Sequence, residues 1–268
     1  MLYFLFLGCA LFPCFFFGCS VWLRRSFPRW SETDVIVISK RFVSATHAII
    51  ATASGAVVTA SCKKDVMMER HWLVPAYLFL AIPYMVYDIC VMYYYHCCKE
   101  CQEQGTPKLK RHTFSMIWSF FKSERLMVLH HLIVAIIFFP TALFLRRGLG
   151  DFLVGCLLMM EMSTPFLSLG KILIQFHLQN TLLYKANGIL LLLTFFFCRI
   201  AVFPYMYWAY GSQHSIPIYR VPFNIPVFCN LGNILLLLPQ LHWFYLLCRK
   251  AKCLFYKSRS EKSPSATV

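Results

Sequence analysis

Two adjacent histidines and one acid stand out in an otherwise apolar stretch. His130 and His131 lie near the start of the run LMVLHHLIVAIIFFPTALFL. Glu161 lies in the middle of FLVGCLLMMEMSTPF, and the short polar link RRGLGD joins the two runs. On a helix, neighbouring residues point about 100° apart. Only one imidazole of the pair can therefore face a given partner. A buried imidazole can take up a proton or an acyl group when a carboxylate orients it and stabilises its cation. Acyl transfer needs, in addition, a donor for the developing oxyanion. The pattern points to His130 and His131 as base or acyl carrier and positioner, with Glu161 as the orienting acid.

Further polar residues interrupt other apolar runs: His47, Asp88, His242, Lys40, Arg41 and Arg199. Ionisable groups inside a membrane span are costly and usually face a bundle interior or a polar cavity. His47, Asp88, Thr164 and His242 are candidate substrate-binding groups. Plainer roles exist for each. The histidine pair could bond only backbone or headgroups. Glu161, beside Ser163, Thr164 and Pro165, could serve only a proline-kinked helix. Asp88, among tyrosines, could be a hydrogen-bond hub, and Lys40, Arg41 and Arg199 could reach out to the interface. A zinc or iron site is disfavoured, because His-x-x-x-His spacing is missing from the sequence. Cys97, Cys98 and Cys101 form half a zinc pattern without a second half, and S-palmitoylation suits them better.

The elements that must hold these groups follow from composition. The 268 residues are 59% hydrophobic, 17% aromatic and 14% charged. Ordinary soluble domains carry about 25% charged residues. The expected class is all-α, a polytopic membrane protein of about seven transmembrane helices. The formal charge of +15 does not signal nucleic acid, because the basic residues gather in links between apolar runs. The 13 cysteines are odd in number, and most lie within apolar runs, so no disulfide framework is expected.

Taken in order, residues 1–23 form a first, uncleaved helix followed by Arg24, Arg25 and Arg29. Ser31-Glu32-Thr33-Asp34 is a helix-start signature before a second span, 35–61, that ends in small residues. The third span covers 72–96. A long link, 97–125, carries Lys108, Lys110 and Arg111, and its segment 113–121 suits an interfacial amphipathic helix. The fourth and fifth spans are the hairpin of the histidine pair and Glu161. The sixth lies within 181–210 and the seventh is 227–248, followed by a basic tail expected to be disordered. The division is 1–32 for the first helix and link, 33–250 for the main domain and 251–268 for the tail. Links after odd-numbered spans hold most of the 26 Lys and Arg. That asymmetry puts the N-terminus in the lumen or outside and the tail in the cytosol. At about 1.5 Å per residue, His130 and His131 fall roughly 6–9 Å below the cytosolic face, and His242 at a similar depth. Asp88 falls roughly 12 Å from the same side, and Glu161 and His47 near the bilayer middle.

The motifs Leu129-His130-His131, Gly150-Asp151-Phe152, Glu161-x-Ser163-Thr164-Pro165-Phe166 and Pro239-Gln240-x-x-Trp243-Phe244 resemble those of the TLC domain. Ceramide synthases, translocon-associated membrane proteins and several lipid-homeostasis proteins share that domain. The resemblance covers residues 33–250, and the first helix belongs to a subgroup. It implies acyl transfer from acyl-CoA to a sphingoid amine, with no cofactor beyond acyl-CoA as co-substrate. In ceramide synthases the histidine pair and two downstream Asp residues are required. The pair carries over to His130 and His131, the first Asp position to Glu161 and the second to Thr164, where a carboxylate is replaced by a hydroxyl. The alternative is a non-catalytic member that binds lipid and regulates membrane lipid composition or transport. The resemblance implies the endoplasmic reticulum, with Golgi and plasma membrane as alternatives. Its partners would be acyl-CoA and a sphingoid base or another membrane lipid, and either a homo- or a hetero-oligomer is compatible.

Overall fold

The computed structural model describes residues 1–104 and 113–260. Among them there is no strand, and seven helices are long and apolar enough to cross a membrane. The spans are Leu2–Ser26, Glu32–Ser61, Leu73–Glu103, Phe114–Leu145, Asp151–Gln175, Leu182–Gln213 and Val227–Cys253. A helix needs about 20 apolar residues to cross the hydrocarbon core. It also satisfies its own backbone groups, which lipid cannot do. Lys108, Lys110, Arg111 and residues 261–268 lie outside the described residues.

The second span is the hub, packed against the first, third and fifth. Its start is fixed by a capping box: the Ser31 hydroxyl accepts from Asp34 N at 3.2 Å and Asp34 Oδ2 accepts from Ser31 N at 3.1 Å. Its small residues then allow close approach. A Cβ added at Gly55 would stand 2.6 Å from the carbonyl oxygen of Gly155, on the fifth span. The two helices therefore cross backbone to backbone.

Three spans depart from regular α-helix. The fourth helix starts at Thr113, bends at Glu124 (φ −111°, ψ 22°) and contains π-helical turns at Val134–Phe138 and Thr141–Leu145. The segment expected as a separate interfacial helix is thus the first part of this one, set off by the bend. The fifth span tightens to a 3₁₀ turn at Met159–Ser163 before Pro165 opens the next α-helical stretch. The sixth contains a π turn at Phe196–Ile200. The last helix runs on to Ser260, so the residues just after Arg249 are helical rather than unstructured.

The two ends of the bundle differ. One gathers Arg24, Lys99, Lys171 and Lys250 and is called the basic end below. The opposite end is closed by loop-to-loop bonds. Asp151 accepts from His71 N at 2.6 Å and pairs with Arg146, Gln213 accepts from Val66 N at 2.9 Å, and Gly150 N donates to Met67 O at 2.8 Å. Asp65 caps the same loop. The backbone N–H groups of Met68 and Met67 hold its carboxyl below the usual range. The fourth and seventh spans are the least buried. Only 11% of their most apolar windows is buried, against 61% for the third.

Candidate functional site

Halfway along the bundle, polar side chains from six spans form a layer. Its first group centres on Asp88, on the third span, which is 4% exposed. Each carboxylate oxygen meets a different side-chain nitrogen. Lys40 Nζ, from the second span, lies 3.3 Å from Oδ1, and His131 Nδ1, from the fourth, lies 3.6 Å from Oδ2. The second distance is longer than a hydrogen bond. The His131 side chain keeps 13% of its surface accessible. With Nδ1 turned to Asp88, its Nε2 is the nitrogen left to react.

The second group centres on Arg199, on the sixth span. Its guanidinium donates to Ser163 Oγ at 2.7 Å, to Thr164 Oγ1 at 2.8 Å and to Gln240 Oε1 at 3.1 Å. It also lies 3.5 Å from Glu161 Oε2, which accepts the Thr164 hydroxyl at 2.6 Å. The π turn Phe196–Ile200 carries Arg199 here, and the 3₁₀ turn Met159–Ser163 presents Glu161 and Ser163. Departures of this kind often mark functional positions. The Glu161 side chain is 32% accessible, the largest share among these ion-paired groups. It is the more accessible of the two acids.

Histidines link the two groups. His130 is an electrostatic neighbour of His131, Arg199 and Glu161, and its ring packs edge-on to Trp243 at 5.3 Å. His47, 2% exposed, is an electrostatic neighbour of Glu161, Asp88 and His131. Its Nε2 is 2.8 Å from the Tyr77 hydroxyl, and its ring stacks on Tyr84 at 3.6 Å. His47 is thereby held by two tyrosines.

The layer thus brings together His47, Asp88, His130, His131, Glu161 and Thr164. It does not include His242, which is exposed on the seventh span. Trp243, the next residue, is the one that meets His130. The carboxylate within ion-pair reach of His131 is Asp88, while Glu161 is engaged by Arg199 and Thr164. Three members were not expected. Arg199 and Lys40 were read as reaching for the interface, yet both pair with acids inside the bundle. Gln240, 1% exposed, was seen only as part of a motif. Depth counted from both ends of the sixth span would have placed Arg199 midway.

No solved structure matches the chain. A family model described as TLC domain matches residues 38–249, a stretch holding every member of the polar layer. With seven spans around that layer and a match over most of its length, the chain belongs to the TLC-domain family, a lipid-related family of membrane proteins.

Proposed function

We propose that this protein is a membrane N-acyltransferase that moves a fatty acyl group from acyl-CoA to the amine of a sphingoid base. The observation that carries this reading is the contact of His131 with Asp88, beside a second group of donors around Arg199. Asp88 orients the imidazole and stabilises its cation. His131 Nε2 takes the proton from the attacking amine as nitrogen bonds to the thioester carbonyl carbon. Arg199 and the Gln240 amide supply donors to the carbonyl oxygen while it is negative. The carbon–sulfur bond then breaks, His131 passes its proton to sulfur, and CoA leaves as the thiol. The amide lipid is the second product. Acyl-CoA enters from the basic end, taken as cytosolic, and the lipid amine enters laterally past the little-buried fourth and seventh spans. The endoplasmic reticulum membrane, with the N-terminus in the lumen, fits this route.

The test is direct. Purified protein with sphinganine and labelled acyl-CoA is expected to form N-acyl product, and His131→Ala to abolish it. Product no greater than that of His131→Ala would sink the proposal.

One observation favours a second reading. Asp88 and Glu161 each have an internal cation, Lys40 and Arg199. Such a layer could bind lipid and regulate its composition or transport without chemistry. On that reading Glu161→Gln leaves the cellular phenotype intact while lipid still co-purifies. Loss of the phenotype would count against it.

A further inference from the structure

A groove of about 920 Å³ lies between the first and third spans, with Glu32 and Ile36 of the second in its lining. One wall is the first span, which precedes the stretch matched by the family model. The spans touch at Gly8, where an added Cβ would stand 2.7 Å from Leu80 O. From there the groove runs to Arg24, Glu32 and Tyr94 at the basic end. Its third-span wall, Ile82 to Tyr94, is about 18 Å long at 1.5 Å per residue. One leaflet of a ~30 Å hydrocarbon core is of similar depth.

Most of the lining is apolar, and its polar features stand in order of depth. At the mouth, Arg24 Nη2 and Glu32 Oε1 are 3.7 Å apart, with side chains 58% and 40% accessible, and Tyr94 donates to Glu32 at 2.6 Å. So exposed a pair is weak, and both charges can turn to a ligand of opposite polarity. About two turns deeper, Tyr87 lines the groove and is 8% exposed, and its hydroxyl has no hydrogen-bond partner among the described residues. Deeper still, Pro13 withdraws an N–H from the helix, leaving the Cys9 carbonyl without its usual donor.

We infer that this groove holds one zwitterionic phospholipid. Its phosphate meets Arg24, its headgroup amine meets Glu32, and one acyl chain lies along the apolar wall. The Tyr87 side chain, below the headgroup, packs against that chain. A sterol offers one hydroxyl and would leave the Arg24–Glu32 pair without a counterpart.

Retention of added lipid by the purified full chain, read by native mass spectrometry, tests this. The probes are phosphatidylcholine, phosphatidylglycerol and cholesterol. The wild type is expected to keep one phosphatidylcholine. Cys90→Trp and Val86→Trp, at exposed groove positions, should each abolish retention. Arg24→Gln and Glu32→Gln should each weaken it about tenfold, the size of one charge-assisted bond. Leu182→Trp, at an exposed position on the sixth span, should change nothing. Retention unaffected by both tryptophan variants, or preference for cholesterol or for phosphatidylglycerol, would overturn the inference. None of these readings depends on acyl transfer.

Discussion

Lys40 and Asp88, 3.3 Å apart inside a lipid-embedded bundle, cannot be treated as independent groups. Removing one partner of a buried pair leaves an uncompensated charge and costs about 3–5 kcal/mol. Lys40→Met and Asp88→Leu are each expected to lower the thermal midpoint in detergent, and the double variant to recover most of the loss. Additive losses would show that the two act separately. Gln240 permits a finer test. Arginine only donates, so the amide oxygen must face Arg199, and the Gln240 Nε2 donor has no partner among the described residues. Gln240→Glu keeps an acceptor for Arg199 but loses the donor. In the acyl-transfer assay it should lower kcat by about 10²–10³ with KM near the wild-type value, the loss expected for one oxyanion donor. Unchanged kcat would remove Gln240 from the chemistry.

At the scale of elements, the crossing of the second and fifth spans is the most demanding contact. The Gly55 Cβ position lies 2.6 Å from a backbone oxygen, which cannot move unless the helices part. Gly18 has nothing within 4 Å of the same position. Gly55→Ala is therefore expected to destabilise by about 1–3 kcal/mol through overpacking. Gly18→Ala should be neutral or mildly stabilising, since alanine is the better helix former. Thermal unfolding of both variants checks the pair, and equal effects would contradict the close crossing. The small residues that make this contact were visible in the sequence, as were the capping box at Ser31 and the spans themselves, because apolar length and cap chemistry are local. The π and 3₁₀ turns were not visible. They depend on what the neighbouring helix demands, and Phe196–Ile200 has no local signature beyond its distance from Pro204.

At the scale of the molecule, the candidate spans among the described residues are odd in number. Tags at the two ends are expected to report opposite faces of the membrane in a protease-protection assay, with the C-terminal tag on the cytosolic side. Tags on one side would require a different span count. The sequence put the histidine pair and Glu161 on one apolar hairpin, and in the structure His130 and Glu161 are electrostatic neighbours. It misjudged their pairing, because which acid meets which base depends on helix rotation across the bundle rather than on position along the chain. The pairing that did form bears on how the protein is made. Lys40 leaves the ribosome before Asp88, and Glu161 before Arg199, so each costly charge waits for a partner encoded one span later. The second and third spans, and the fifth and sixth, should then enter the bilayer as coupled pairs. A nascent chain halted after residue 61 should hold its second span poorly.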